Sequence, residues 1–437
     1  YYRDALDRIG VTVHLLRVGK YKSAAEPYID NAASPEAREA DTALYGALWA
    51  DYTGGVEKAR KLAPGSIMAL IDDLPARLAA AGGDEARLAL AEKLVDGLKT
   101  RDELRALLIE RGAKDEDQKT FRQVSFDDYL SQQTDKRSGD AVGVVVAEGE
   151  IVDGAAPAGT IGGRSTAALI RKAREDEHIK AIVLRVDSPG GSVFGSELVR
   201  HELELASAAG KPVVVSMGDL AASGGYWIST AADEVIADPA TVTGSIGVFG
   251  LMPSADKALD KIGVHTDGVT TTWLRNAGDP RRALDPRFAQ VMQAGIDHAY
   301  VEFTTRVAQA RKTTPEKIDA VGQGRVWTGA QALARGLVDR LGSYGDALDS
   351  AAARGKLPKG YRVVYLEQGQ GRLGSALALF GGALAQAVGV PADLRLAGIA
   401  LPSGVARGVV QDLGWLAEAT DGKRRFSAIA HCLCSAP

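Results

Sequence analysis

What the chain lacks narrows its chemistry first. Cysteine is nearly absent, with two residues in 437, Cys432 and Cys434, one position apart at the far end. That is too few for a disulfide framework, and the spaced partners of a zinc site are missing. Neither sign of charge is in excess: 52 Lys and Arg stand against 56 Asp and Glu, a formal net charge of −4, and no run of like charge stands out. Nucleic acid is therefore a poor candidate partner. No basic, apolar, small-residue leader opens the chain, and no uncharged apolar run clearly reaches bilayer-spanning length. The nearest, Ser375 to Val390, is rich in Gly and Ala and contains Gln386, which fits a buried or interface helix better. Of the six histidines, His14, His178, His201, His265, His298 and His431, none sits in a motif resembling a catalytic loop, and no G-x-S-x-G elbow occurs.

What is present is duplication. A chain of 437 residues is long enough for two or three packed units. Ala5-Leu6-Asp7-Arg8-Ile9-Gly10-Val11 reads almost like Ala258-Leu259-Asp260-Lys261-Ile262-Gly263-Val264, an offset of 258 − 5 = 253. Ala89-Leu90-Ala91-Glu92-Lys93-Leu94-Val95-Asp96 matches Ala332-Leu333-Ala334-Arg335-Gly336-Leu337-Val338-Asp339 at 332 − 89 = 243. Two copies of one fold are expected. The first copy begins at Tyr1 and has no counterpart for roughly Ala141 to Ser254, so part of that domain, with any membrane anchor, is expected to lie outside this sequence. The expected organisation is 1–117 as the incomplete first repeat, 118–140 as a polar linker, 141–368 as the second repeat, and 369–437 as a Gly/Ala-rich extension suited to oligomer contact.

The fold class reads as α/β. Ala181 to Val186, then Ser196 to Ala209, then Val213-Val214-Val215 give strand, helix, strand, with Gly210 and Pro212 as the stop between them. Two long helical patterns, about Pro35 to Tyr52 and Pro286 to Arg311, each open on a proline, and Thr314-Pro315-Glu316 starts another helix in the same way.

Two turns carry the chemistry. In Leu220-Ala221-Ala222-Ser223-Gly224-Gly225-Tyr226-Trp227 a serine follows a strand and opens a helix. Unpaired helix N–H groups there favour a developing oxyanion, and the glycines admit a substrate backbone. Taken alone, the pattern is more often that of a serine N-cap before a turn. Asp187-Ser188-Pro189-Gly190-Gly191-Ser192 is a second glycine-lined turn after a strand, ordinary by itself. Together the two turns can supply the donors of an oxyanion hole.

Four motifs in order then become recognisable: Arg17-Val18-Gly19-Lys20-Tyr21-Lys22-Ser23-Ala24-Ala25-Glu26-Pro27, the Asp187-Ser-Pro-Gly-Gly turn, Ala221-Ala222-Ser223-Gly224-Gly225, and Thr243-Gly244-Ser245-Ile246-Gly247. They resemble the signal peptide peptidase A, or protease IV, family of Ser-Lys dyad proteases in its long, duplicated form, over essentially the whole chain. The resemblance implies duplicated crotonase-like or Clp-protease-like spirals of β-β-α units. It implies a serine endopeptidase that degrades cleaved signal peptides, needs neither metal nor cofactor, and works as a homo-oligomer, a tetramer, anchored in the bacterial inner membrane and facing the periplasm. By position, Ser223 matches the nucleophile, Lys22 rather than Lys20 the general base, Ser245 the hydroxyl that orients the amine, and Gly190, Gly191 and Gly224 the oxyanion turns.

The repeat supports Lys22 independently, because its counterpart at the 253 offset is Arg275, which cannot give up a proton. As a base, Lys22 has to be neutral, and that demands desolvation, hydroxyl partners and no carboxylate in contact, so Glu26 has to point elsewhere. The dyad is expected to form where the two halves meet. Tyr226, Trp227, Val248, Phe249 and Leu251 are candidate linings of an apolar groove, with plain core packing the equal alternative. Ser254-Ala255-Asp256-Lys257 fits S-x-x-K without its companion motifs, and Ser254 is expected to cap a helix instead. Two rival functions remain at this level: an acyl-coenzyme A hydratase or isomerase, and a catalytically inactive scaffold that binds membrane proteins.

Overall fold

Valine, isoleucine and alanine fill the segments Ala141–Glu148, Ile179–Ser188 and Val213–Ala222, and each becomes a central strand of one largely parallel sheet. The protein's structure, a computed structural model, describes residues 1–117, 119–132, 138–367 and 429–431. The Ser375 to Val390 stretch and both cysteines lie outside the described residues. Across the sheet the order is Val326–Thr328, Val242–Gly244, Val213–Ala222, Ile179–Ser188, Ala141–Glu148, Arg362–Tyr365. Only the first pair is antiparallel. Short strand Glu234–Ala237 pairs with the first half of Val213–Ala222, and Val242–Gly244 with its second half, Leu220 to Ala222.

The strand runs are continuously apolar because both faces of this sheet are covered. Ile182, Leu184, Val186, Val213 and Val215 face Ile170, Val199 and Leu203 of helices Gly163–Glu175 and Val193–Ala208. Their neighbours Ala181, Val183 and Val214 face Ala347, Ala351 and Ala352 of helix Tyr344–Arg354. Each buried Val, Ile or Leu side chain contributes about 1.5 to 3 kcal/mol, so the sheet centre is a rigid platform for the turns at its ends.

A second sheet runs Thr12–Val18, Val248–Ser254, Ile429–His431, Gly190–Ser192, Ile151–Val152, Ile161–Gly162. Its first pair is antiparallel and in unbroken register from Thr12 opposite Ser254 to Val18 opposite Val248. That register decides the site, because it ends where the lysine turn begins.

The chain forms two compact units, Tyr1–Leu44 with Gly139–Pro437, and Tyr45–Ser138. The first 44 residues thus group with the later part of the chain. The matched repeat segments nevertheless adopt the same local structure. Helices Arg3–Ile9 and Asp256–Lys261 are followed by Gly10 and Gly263, both left-handed with φ of 83° and 72°. Lys93 and Gly336 are likewise both left-handed, and Leu94 N–H and Leu337 N–H donate to the equivalent carbonyls of Ala89 and Ala332.

Three local expectations change. The first long helix is Pro35–Arg60, not ending near Tyr52 but running through Gly54-Gly55, and Thr53 Oγ1 donates to Trp49 O within it. The expected linker carries helix Phe126–Gln132, whose start is held by Ser125 Oγ accepting from Asp128 N–H. Ser254 is not a cap: helix Asp256–Lys261 starts after Ala255, and the Ser254 hydroxyl donates to Asp256 at 2.9 Å at the end of its strand. The other expected helices stand at Pro286–Ala310 and Pro315–Val321, capped by Asp285 and Thr314. Among the described residues no helix is long and apolar enough to cross a membrane.

Candidate active site

Strand Val213–Ala222 delivers its next residue, Ser223, into a bent backbone with φ 55° and ψ −116°. A non-glycine residue in that region stores of order 1 to 3 kcal/mol. The surroundings over-determine it: Ser223 N–H donates to Gly244 O at 2.8 Å, and Trp227 N–H donates to Ser223 O at 2.8 Å as helix Gly224–Ser229 begins. The glycines after Ser223 are required by contact. A Cβ on Gly225 would stand 2.7 Å from Ser188 O, and one on Gly224 would stand 2.7 Å from Ser196 Oγ and 3.1 Å from Gly190 Cα. The two glycine turns read from the sequence therefore touch.

Lys22 arrives from the second sheet. Because Val18 sits opposite Val248, the chain leaving Val18 must pass the turn at Gly244 to Gly247 that precedes Val248. There the Lys22 amine lies 2.9 Å from Ser223 Oγ, 2.9 Å from Ser245 Oγ and 3.2 Å from Ser245 O. Lys22, Ser223 and Ser245 are all at most 2% exposed. Burial holds the Lys22 pKa down from 10.5 to about 7, and desolvation is the whole cause. Glu26 does point elsewhere. Its buried carboxylate accepts from Ser34 N–H at 2.9 Å and Ser34 Oγ–H at 2.7 Å, and pairs with Arg17 at 3.7 Å. The Phe249 ring, 5.9 Å from the amine, adds an apolar wall.

A neutral amine has two hydrogens and one lone pair. The Ser245 carbonyl can only accept, and a hydrogen directed to Ser245 Oγ takes the second donor. The lone pair is then free for the Ser223 hydroxyl hydrogen. The arrangement is able to take a proton from Ser223 and return it.

The remaining sequence candidates divide. Gly190 N–H donates to Ser188 Oγ at 3.1 Å, so its amide is engaged within its own turn. Tyr226 and Trp227 are core, not groove. The helix after Ser223 turns both inward, where Tyr226 Oη donates to Leu337 O at 2.6 Å, and Trp227 donates to Glu197 at 2.9 Å and packs on Phe303. Val248 and Phe249 are buried, and Leu251 packs with Phe249 against Ala25 and Tyr28. Sequence reasoning missed the loop Gly322-Gln323-Gly324-Arg325, whose backbone covers Lys22; the closely spaced glycines flanking Gln323 were its only signal. Among the described residues no group of three or more His, Cys, Asp or Glu could hold a metal ion.

Known proteins are similar to this chain. The model of Peptidase family S49 matches residues 1–114 and 206–357. Protease 4 of Salmonella typhi is 46% identical over 368 residues, covering 84% of this chain and 59% of that protein. Protease 4 of Haemophilus influenzae is 40% identical over 355 residues, 80% of this chain and 57% of its own length. The chain thus spans less than two thirds of these relatives. Serine protease SPPA, chloroplastic, of Arabidopsis thaliana is 30% identical over 370 residues, 83% of this chain and 53% of that one. The solved ClpP1 from Listeria monocytogenes aligns over 47% of this chain and 94% of its own at 16% identity, with a TM-score of 0.29.

Proposed function

The chain belongs to peptidase family S49, and from that premise we propose that it is a serine endopeptidase with Ser223 as nucleophile and Lys22 as general base. The observation that carries the reading is the desolvated amine 2.9 Å from the Ser223 hydroxyl with no carboxylate contributing to its pKa. Lys22 takes the Ser223 proton as the oxygen attacks the scissile carbonyl, forming the acyl C–O bond. Ser245 holds the amine on line. The backbone amides of the Gly190-Gly191 turn and of Gly224 are the donors assigned to the developing oxyanion. The lysinium then protonates the leaving amine as the C–N bond breaks. A water deprotonated by the same lysine releases the acid and restores Ser223.

A second observation favours a peptide over a small acyl thioester. Segment Ile429–His431 of the chain itself runs antiparallel beside Gly190–Ser192, with Ala430 opposite Gly191, and Ile429 stands opposite Phe249 on the other side. The slot next to the glycine turn thus accommodates extended polypeptide. The substrates in this reading are apolar peptides such as cleaved signal peptides, and the protein works as a homo-oligomer at the periplasmic face of the inner membrane. Those finer points rest on the family resemblance. The roles of the two sequence repeats, the first bringing the base and the second the nucleophile, belong to the same proposal.

Turnover of a fluorogenic apolar peptide by wild type, Ser223→Ala and Lys22→Ala tests it. Losses of at least about a thousandfold in both variants are expected, with folding checked by circular dichroism. A folded Ser223→Ala protein cleaving at the wild-type rate removes the nucleophile assignment, and an inert wild type favours the scaffold reading.

A further inference from the structure

The loop Gly322 to Arg325 ties together the two turns that carry Lys22 and Ser245. Tyr21 N–H donates to Gln323 O at 2.8 Å, Gly324 N–H to Ile246 O at 2.7 Å, and Ser245 N–H to Arg325 O at 2.8 Å. Gly324, at φ 79°, lies so close over the lysine that a Cβ there would be 2.7 Å from Lys22 N and 2.9 Å from Lys22 Cβ. The outer end of the loop is fastened by side chains. Arg325 Nη1 donates to Glu39 Oε1 at 2.5 Å and to Tyr21 Oη at 3.2 Å, and Tyr21 Oη donates to Glu39 Oε2 at 3.1 Å. The same guanidinium stands over the Tyr21 ring at 4.9 Å and the Trp327 ring at 4.5 Å.

We infer that Arg325 is a positioning residue for Lys22: with Tyr21 and Glu39 it latches the 322–325 loop against the 19–22 turn, keeping the amine on Ser223 and out of water. The inference rests on the reading of Lys22 as the base. The charged groups around that turn and the loop over it include Arg17, which donates to Lys22 O at 3.2 Å, Glu26, held by Ser34 and Arg17, Lys20 over the Tyr21 ring, the latch pair Glu39 and Arg325, Asp319, which accepts from Gln323 Nε2, and Arg335, stacked on the Trp327 ring beside Arg325. The neighbouring strand offers uncharged Phe249 and the adjoining turn a hydroxyl. The depressed Lys22 pKa has burial as its cause. The latch therefore acts by excluding water.

Opposite charges on the two latch residues make its test specific. Arg325→Gln removes a positive charge and Glu39→Gln a negative one, so a direct field effect moves the lysine in opposite directions, whereas an opened latch hydrates it and moves both the same way. In kcat/KM against pH on a fluorogenic peptide, the acidic limb is expected to rise by about one unit in both variants. That reads as a loss of about tenfold below neutrality, shrinking to within about threefold near pH 9. Brief acetylation of the intact enzyme across the same pH range, with Lys22 modification followed by mass spectrometry, reads the amine without turnover. An upward shift of the labelling midpoint in both variants supports the latch even if the activity limb stays put, in which case Lys22 is not the base. Opposite shifts, or unmoved labelling midpoints, overturn the latch whatever the activity does.

Discussion

A buried lysine held neutral is a standing cost to stability, and replacing Lys22 with methionine exposes it. The amine's value falls from 10.5 to about 7 on folding. That difference disfavours the charged amine in the folded protein by about 4 to 5 kcal/mol, of which about 4 is felt at pH 7. The direction follows from proton counting. Between about 7 and 10.5 the unfolded chain holds a proton the folded one has released, so wild-type stability rises with pH across that window. Below about 7 both states are protonated and the full cost persists; above 10.5 neither is, and the cost vanishes. Methionine carries no such term. It also gives up the amine's contacts with Ser223 Oγ, Ser245 Oγ and Ser245 O, at about 1 kcal/mol each. The net expectation for Lys22→Met at pH 7 is a gain of about 1 to 2 kcal/mol with activity lost. The firmer signature is free of that offset: the variant's advantage should shrink by about 1.4 kcal/mol per pH unit between about pH 7.5 and 9.5. Urea unfolding followed by tryptophan fluorescence, at constant m-value, measures it. A stability difference that stays flat across this range refutes the claim that Lys22 is neutralised by burial.

Two further substitutions probe the supports. Ser245→Ala removes a hydroxyl 2.9 Å from the amine while leaving the carbonyl contact; kcat is expected to fall about ten- to a hundredfold with KM little changed, and steady-state kinetics showing a pure KM effect would contradict an orienting role. Glu26→Ala leaves Arg17 without its carboxylate and Ser34 without its acceptor, so urea midpoints should report a loss of about 2 to 3 kcal/mol, and a loss below about 0.5 would show the buried carboxylate to be dispensable.

The candidate site was legible to the extent that its chemistry sits in contiguous motifs. Ser223 and its glycines, the Gly190-Gly191 turn, Ser245 and Lys22 each stand in a short run whose residue types have a physical purpose, and the structure brings them together. Central strands could be read because their apolar runs have one explanation, a sheet covered on both faces. What escaped depends on orientation or on tertiary neighbours. Tyr226 and Trp227 follow the serine after only two glycines, yet the direction of one short helical turn decides whether they line a groove or enter the core. The Gly54-Gly55 pair would end an isolated helix, but Pro35–Arg60 continues through it. The 322–325 loop lies 300 positions from Lys22, 322 − 22, and only the pairing of Thr12–Val18 with Val248–Ser254 carries the lysine to it.

Catalysis in this reading requires a neutral Lys22 amine that activates the Ser223 hydroxyl. Its most direct measurement is the rate of Ser223 phosphonylation by a peptidyl phosphonate as a function of pH, in wild type and in Lys22→Met, with the modified residue identified by mass spectrometry. A single adduct on Ser223 is predicted, forming through one ionisation near 7 in wild type and at least about a hundredfold more slowly in the variant. A variant labelled at the wild-type rate, or an adduct on another residue, contradicts it.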